Sequence, residues 1–420
     1  MTTSASPVWH PFTQHAVQPD AIPIARGEGA WLETADGRRI FDAISSWWVV
    51  THGHRHPRIV QAIKDQAERL DQVIFAGFTH EPAERLARLL VAMTPPGLDY
   101  VFFSDSGSTS VEVALKMALG FWRNRGERRS RILTLEGAYH GDTIGGMSVG
   151  ERGVFNAPYD PLLFDVERIP FPAAGREQAT LDAITAACGN AGVAALIVEP
   201  LILGAGGMLI YPPWVLTEMK RICEAHGVLL IADEVMTGWG RTGTRFACEQ
   251  AGVTPDIACY SKGLTGGSLP LAVTLCRAAI FDAHYSTDRS KTFFHSSSYT
   301  ANPIACAAAC ANLEIWQDEP VMERIAAVAR AHTHGLDRFR GDRRFINVRQ
   351  IGSIAALDVA TSDPGYLAGI GPRLYDGFLR RGLLVRPLGN TIYLMPPYCS
   401  TPQELERAFD AIGEIVDGIG

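Results

Sequence analysis

Between residue 57 and about residue 303 the chain alternates helical stretches with short apolar runs, and that alternation restricts the fold more than any other feature of the sequence. The runs 100–104, 131–135, 195–199, 229–232, 257–261 and 271–276 read as strands buried on both faces, as in a mostly parallel sheet. The stretch 57–70 opens with Pro57 and places Val60, Ile63, Ala67 and Leu70 at helical spacing. Strands alternating with helices predict an α/β fold built on a large, mostly parallel central sheet. After about residue 303 long amphipathic helices take over, followed by strand patterns at 352–359 and 391–395, so a smaller α+β domain is expected there. The first 55 or so residues carry turns and aromatics without strong periodicity and are expected to pack on that C-terminal part. The expected division is a large domain, 57–310, and a small domain made of 1–56 and 311–420.

A chain of 420 residues exceeds the roughly 150 of one domain almost threefold, in keeping with two. Lys and Arg number 38 against 45 Asp and Glu, a net charge of −7, and 47% of residues are apolar. That is enough for a large core and the wrong sign for a nucleic-acid partner. Arginines cluster at 123–131, but Glu127 interrupts them, and the stretch reads as a solvated helix end. No apolar run nears the ~18 residues that cross a bilayer, and MTTSASPVWHPFTQ lacks the basic start and apolar core of a secretory leader. The 8 cysteines include no CxxC pair, and Cys306 and Cys310 have no further ligands for a zinc site. They read as reduced, mostly buried thiols, so a soluble cytoplasmic protein without a metal or a membrane partner is expected.

The apolar run 100–104 enters Asp105-Ser106-Gly107-Ser108 and then the helical pattern TSVEVALKMALGFWR. A helix start of this kind offers free N–H groups and a positive dipole end to an anion such as phosphate; the same residues also make an ordinary cap. Glu112 and Lys116, four apart, are expected to form a surface ion pair. The apolar run 227–232 ends in Asp233-Glu234, which puts a carboxylate at the sheet edge where open α/β sheets bind ligands. A helix cap or a core ion pair is the alternative reading. Lys262 directly follows the run 257–261, and Gly263, Gly266 and Gly267 leave room for a ligand to approach. An amine held there can have a lowered pKa, which suits attack on an aldehyde, although most lysines are solvated surface charges. Arg386, after Leu383-Leu384-Val385 and before Pro387, fits either a carboxylate clamp at a strand end or a structural ion pair. Trp47 and Trp48 would point opposite ways in a strand, one to the core and one to a pocket wall. The stretch 238–243 matches GxGxxG by letter but lacks the preceding strand and following long helix of a dinucleotide site.

A phosphate-binding helix start, an acid at one strand end and a lysine at another suit pyridoxal 5'-phosphate. The chain resembles the class III, fold-type I aminotransferases over essentially its whole length, through IADEVMTGWGRTG at 231–243 and Ser261-Lys262-Gly263. Within that class it is similar to the enzymes that aminate 8-amino-7-oxononanoate in biotin biosynthesis. The marks are WHPFTQ at 9–14, SSWW at 45–48, SDSGSTSVEVALKMAL at 104–119, YHGDT at 139–143, NPIACAAA at 302–309 and RPLGNTIYLMPPY at 386–398.

The resemblance implies that Lys262 carries the cofactor through its ε-amine and moves the substrate proton, and that Asp233 pairs with the pyridine nitrogen. Tyr139 would stack on the ring, and Gly107 and Ser108 would hold the phosphate. Ser298 would be contributed across a homodimer interface. Arg386 is similar to the clamp for the substrate carboxylate, Trp47 to the wall of the substrate channel, and Arg241 to a residue that orients substrate. At position 12 many relatives carry tyrosine; Phe12 removes a hydroxyl near the substrate. S-adenosylmethionine is the expected amino donor, with lysine as the alternative that Phe12 leaves open.

Overall fold

The computed structural model describes residues 6–18 and 20–419. A seven-stranded sheet forms its centre, in the spatial order Tyr100–Ser104, Ala272–Cys276, Ile257–Tyr260, Leu229–Asp233, Val193–Val198, Arg131–Leu135 and Glu167–Ile169. Only Ala272–Cys276 runs against its neighbours. All six strands expected from the apolar runs are present, within two residues at each end. The short strand Glu167–Ile169 gave no apolar signal, since it is three residues long and carries Glu167 and Arg168 at the sheet edge.

Period-two alternation explains why these runs are continuously apolar. Ile132, Ala195, Ile197, Leu229 and Ile231 face the helix Gly107–Asn124. Leu133, Leu196, Val198, Leu230 and Ala232 face the helices Glu177–Gly189 and Pro213–Ala225 on the other side. With both faces covered, every position of Val193–Val198 and Leu229–Asp233 is buried. The same alternation turns Asp233 towards the face covered by Gly107–Asn124.

Residues 24–42 form three strands, Ile24–Glu28, Trp31–Thr34 and Arg39–Asp42, where sequence pattern indicated only turns. They are short, and the first is mostly exposed, so no hydrophobic alternation marks them. Arg39–Asp42 pairs in parallel with Leu383–Leu384, which joins the two ends of the chain in one sheet. A separate antiparallel sheet, Phe345–Ile351, Ile354–Val359 and Thr391–Leu394, packs with the helices Val321–Asp337, Ile370–Arg380 and Pro402–Asp417 around a third core. The helix Pro303–Asp318, rich in alanine and almost wholly buried, packs on Pro57–Ala67 and Glu81–Met93.

The expected Glu112–Lys116 ion pair does not form. Glu112 accepts from the backbone N–H of Gly145 at 2.6 Å, and Lys116 donates to the carbonyl of Phe294 at 2.8 Å. Glu112 is drawn to the start of the helix Ile144–Val149 and Lys116 to a loop, contacts that periodicity cannot show. Trp47 and Trp48 sit in an irregular turn, Ser45–Trp48, whose backbone is not regular helix, and not in a strand. Among the described residues no helix is long and apolar enough to cross a membrane.

The loop after Lys262 presses against the segment that follows the tryptophans. Gly267 has φ +87°, and a Cβ there would lie 2.8 Å from the carbonyl carbon and oxygen of Val49. Gly267→Ala is expected to cost about 3 kcal/mol, read as a lower denaturation midpoint at unchanged m-value.

Candidate functional site

Because the strands Arg131–Leu135, Val193–Val198, Leu229–Asp233 and Ile257–Tyr260 are parallel, their carboxyl ends and the loops after them gather at one edge of the sheet. That edge receives Tyr139 and His140, Glu199, Asp233 and Lys262. The helix Gly107–Asn124 starts near it, after the strand Tyr100–Ser104 and a turn of two residues.

Lys262 opens a short 3₁₀ turn, Lys262–Thr265, with φ +45°, a conformation uncommon outside glycine. Burial lowers its pKa from the ordinary lysine value, opposed by the nearby charges of Asp233 and Glu199. Its Nζ lies 5.1 Å from the centre of the Trp48 ring. The direction of that shift favours the neutral, nucleophilic form of the amine.

Asp233, 5% exposed, holds Nδ1 of His140 at 2.7 Å through Oδ2 and accepts from the N–H of Val235 through Oδ1 at 3.1 Å. Its neighbour Glu234 takes the role of a cap, accepting from the N–H groups of Ala247 and Cys248 and from the hydroxyl of Thr237. Of this acidic pair, Glu234 is thus the cap and Asp233 the partner of His140. His140 Nε2 is buried without a partner.

At the helix start, Ser106 and Thr109 form a reciprocal capping box. The N–H groups of Gly107 and Ser108, in the first turn, have no intrahelical acceptor. A Cβ on Gly107 would lie 2.6 Å from Cγ1 of Val235, so main chain, not side chain, forms this part of the site. Ser108 Oγ accepts from the N–H of Asp142 at 2.7 Å, which leaves its own proton free to donate.

Lys262, Tyr139, Trp47, Trp48, Phe12 and Arg386 line one cavity of about 330 Å³, together with Phe155, Tyr366 and Tyr393. Arg386 Cζ lies 5.5 Å from the Trp47 ring centre, and Nη2 donates to the carbonyl of Phe12 at 3.0 Å. Phe12 itself packs on Trp47 with ring centres 5.5 Å apart. Arg386 is therefore stacked and anchored, with further N–H groups left for an anion.

Asp233, Gly107 and Ser108 do not line this cavity, and neither do Arg241 and Ser298. Arg241 is 1% exposed and gives its guanidinium to the carbonyls of Trp48, Val50 and Pro396, stacking on Tyr398. Its guanidinium is engaged by these three backbone carbonyls, so it braces the cavity wall. Ser298 is exposed on a loop whose Ser297 bonds Asp105, and its carbonyl accepts from Gln72.

Sequence reasoning passed over Glu199 and His140. Glu199 is buried, accepts from the N–H groups of Tyr139 and Gly204 at 2.9 Å each, and burial pushes its pKa up to about 7. The signal was present: the apolar run before Glu199 ends in an acid just as the run before Asp233 does.

Comparison with known proteins agrees with this geometry. The class-III aminotransferase family model matches residues 12–416. The adenosylmethionine-8-amino-7-oxononanoate aminotransferase of Synechococcus elongatus is 50% identical over 98% of this chain and 99% of its own length. Among solved structures, the enzyme of that name from Methanocaldococcus jannaschii superposes with a TM-score of 0.94 at 34% identity, covering 98% of this chain and 97% of its own. An amine transaminase from an uncultivated Pseudomonas species, in its PLP-bound form, matches with a TM-score of 0.90 at 33% identity over 99% of both chains. With the fold, the sheet-edge lysine and the family match in agreement, the chain belongs to the class-III aminotransferases.

Proposed function

We propose that this chain transfers an amino group from S-adenosylmethionine to 8-amino-7-oxononanoate, giving 7,8-diaminononanoate for biotin synthesis, with pyridoxal 5'-phosphate as cofactor. The observation that carries this reading is a buried amine, Lys262, sharing one cavity with an anchored guanidinium, Arg386, between aromatic walls. The residues present fit the cofactor. The open N–H groups of Gly107 and Ser108 suit its phosphate, Asp233 its ring nitrogen, and the buried, less basic amine of Lys262 its aldehyde.

When bound, this cofactor supplies an aldehyde that captures amines and a ring that accepts electrons from the carbon losing its proton. The protein's own groups do the rest. Lys262 Nζ would hold the cofactor, and its amine would serve as the base that takes a proton from the substrate carbon and returns it. His140 holds the Asp233 carboxylate in place, and that carboxylate would pair with the ring nitrogen. Tyr139 offers a flat face, its backbone fixed by Glu199. Arg386 binds the carboxylate of the acceptor, and Trp47 with Phe12 encloses its carbon chain.

Ser298, exposed in one chain, is read as a phosphate ligand for a second copy, which makes the working form a homodimer. The large unit 57–310 carries the cofactor, and 1–56 with 311–420 closes over it. The protein acts in the cytoplasm. Phe12 brings no hydroxyl to the cavity, so lysine is the competing donor, and a donor panel with purified protein and 8-amino-7-oxononanoate separates the two: turnover with lysine alone would overturn the adenosylmethionine assignment.

Lys262→Ala should lose both the visible absorbance of covalently held cofactor and at least about 10⁴-fold in kcat. Arg386→Ala should raise KM for the carboxylate-bearing acceptor about 100-fold while the cofactor spectrum is retained. For Glu199 the folded pKa of about 7 lies above the unfolded carboxylate value, so the folded state binds the extra proton between the two. The stability advantage over Glu199→Gln is complete below about pH 4.5 and declines as pH rises through 7, by on the order of 3 kcal/mol, measured by denaturant titration of the cofactor-free protein.

A further inference from the structure

The turn that carries both cavity tryptophans is held in an uncommon backbone conformation. Ser45, Ser46 and Trp48 have φ of +54°, +59° and +65°, and none is glycine. Ser46, with ψ −100°, occupies the mirror image of the extended region, where glycine alone is at ease. The result is that adjacent side chains, Trp47 and Trp48, both reach the same cavity. Neither a regular strand nor a regular helix turn would do this. Trp47 meets Arg386, and Trp48 meets Lys262.

Such a conformation persists only when its surroundings over-determine it. One side chain bonds the strained residue twice. Asp42, 0% exposed, accepts from the N–H of Ser46 at 2.8 Å through Oδ1 and from its hydroxyl at 3.1 Å through Oδ2. His54 Nε2 lies 2.8 Å from the same Oδ2 and fixes the carboxylate. Ser45 Oγ donates to the carbonyl of Met395, and Trp48 Nε1 donates to Tyr393, so the flanks of the turn are pinned as well.

We infer that Asp42 is a positioning residue for the amino transfer: by holding Ser46 in its glycine-like conformation it sets the Trp47 wall against the carboxylate-binding Arg386 and the Trp48 wall against Lys262. This rests on the roles proposed above for Lys262 and Arg386, but makes a separate demand. Loss of Asp42 must disturb both ends of the cavity together, without removing any group that touches substrate.

The test compares holoenzymes of wild type, Asp42→Ala, Asp42→Asn and Asp42→Ala/Ser46→Gly, with circular dichroism and thermal melting to establish folding. In Asp42→Ala, KM for 8-amino-7-oxononanoate should rise about tenfold as Trp47 leaves Arg386. The pH midpoint of the visible absorbance, which reads the proton on the Lys262 nitrogen, should rise by about one unit as water enters past Trp48. Water reaching a buried nitrogen favours its charged form. Asp42→Asn keeps an acceptor for the Ser46 N–H and should fall between. Ser46→Gly, which removes the conformational penalty, should restore most of both readouts in the double variant.

A folded Asp42→Ala enzyme with KM within about twofold and a midpoint within about 0.2 units of wild type would overturn the inference, as would failure of glycine to rescue. If Asp42→Ala does not fold, Asp42→Asn and Asp42→Asn/Ser46→Gly are judged by the same criteria. A wild-type enzyme with no visible absorbance or no turnover would instead refute the proposed function and leave the turn's geometry untouched.

Discussion

Charge taken out of water at one edge of an apolar sheet is the constraint around which this structure is arranged. Asp233, Glu199 and Lys262 stand at or just beyond the ends of strands buried on both faces, where isolated charges are costly. Each is compensated locally: Asp233 by His140 and a backbone N–H, Glu199 by two backbone N–H groups, and Lys262 by the field of both acids. The balance leaves a lysine that is less basic than usual and a carboxyl that titrates near neutrality. These are the properties a site for amine chemistry requires.

The segments outside the central sheet complete the cavity that the sheet edge begins. Residues 6–50 supply Phe12, Trp47 and Trp48, while the C-terminal region supplies Tyr366, Arg386 and Tyr393. Pairing of Arg39–Asp42 with Leu383–Leu384 brings these distant stretches together. Arg241 then ties both to the middle of the chain, since its guanidinium reaches carbonyls on either side, at Trp48 and Val50 and at Pro396. This motif arginine is a buried brace between the two segments. Removing a charge bonded in this way leaves three carbonyls unsatisfied, which explains why the position demands arginine's spread of donors.

The central sheet was legible because its strands are buried on both sides, and continuous apolar runs are what double burial produces. Lys262 and Asp233 could be found for the same reason: a charge that ends such a run has nowhere to be except a sheet edge. The N-terminal strands escaped because one-sided, short and partly exposed elements carry no periodic signal. Glu112 and Lys116 were misread because helical spacing shows which side chains are neighbours along one helix and says nothing of other segments passing over it.

The amino-acid sequence determined, through local pattern, the class of fold, the parallel sheet and the residues at its carboxyl edge, and through its motifs the family. Only the tertiary structure decided that Arg241 faces backbone, that Trp47 and Trp48 share a cavity, and that Asp42 and Glu199 hold the walls in place. The physical reason is one of range. Burial and hydrogen-bonding propensity act along a few neighbouring residues, whereas these outcomes depend on left-handed backbone and on contacts between segments hundreds of positions apart, such as Ser45 with Met395.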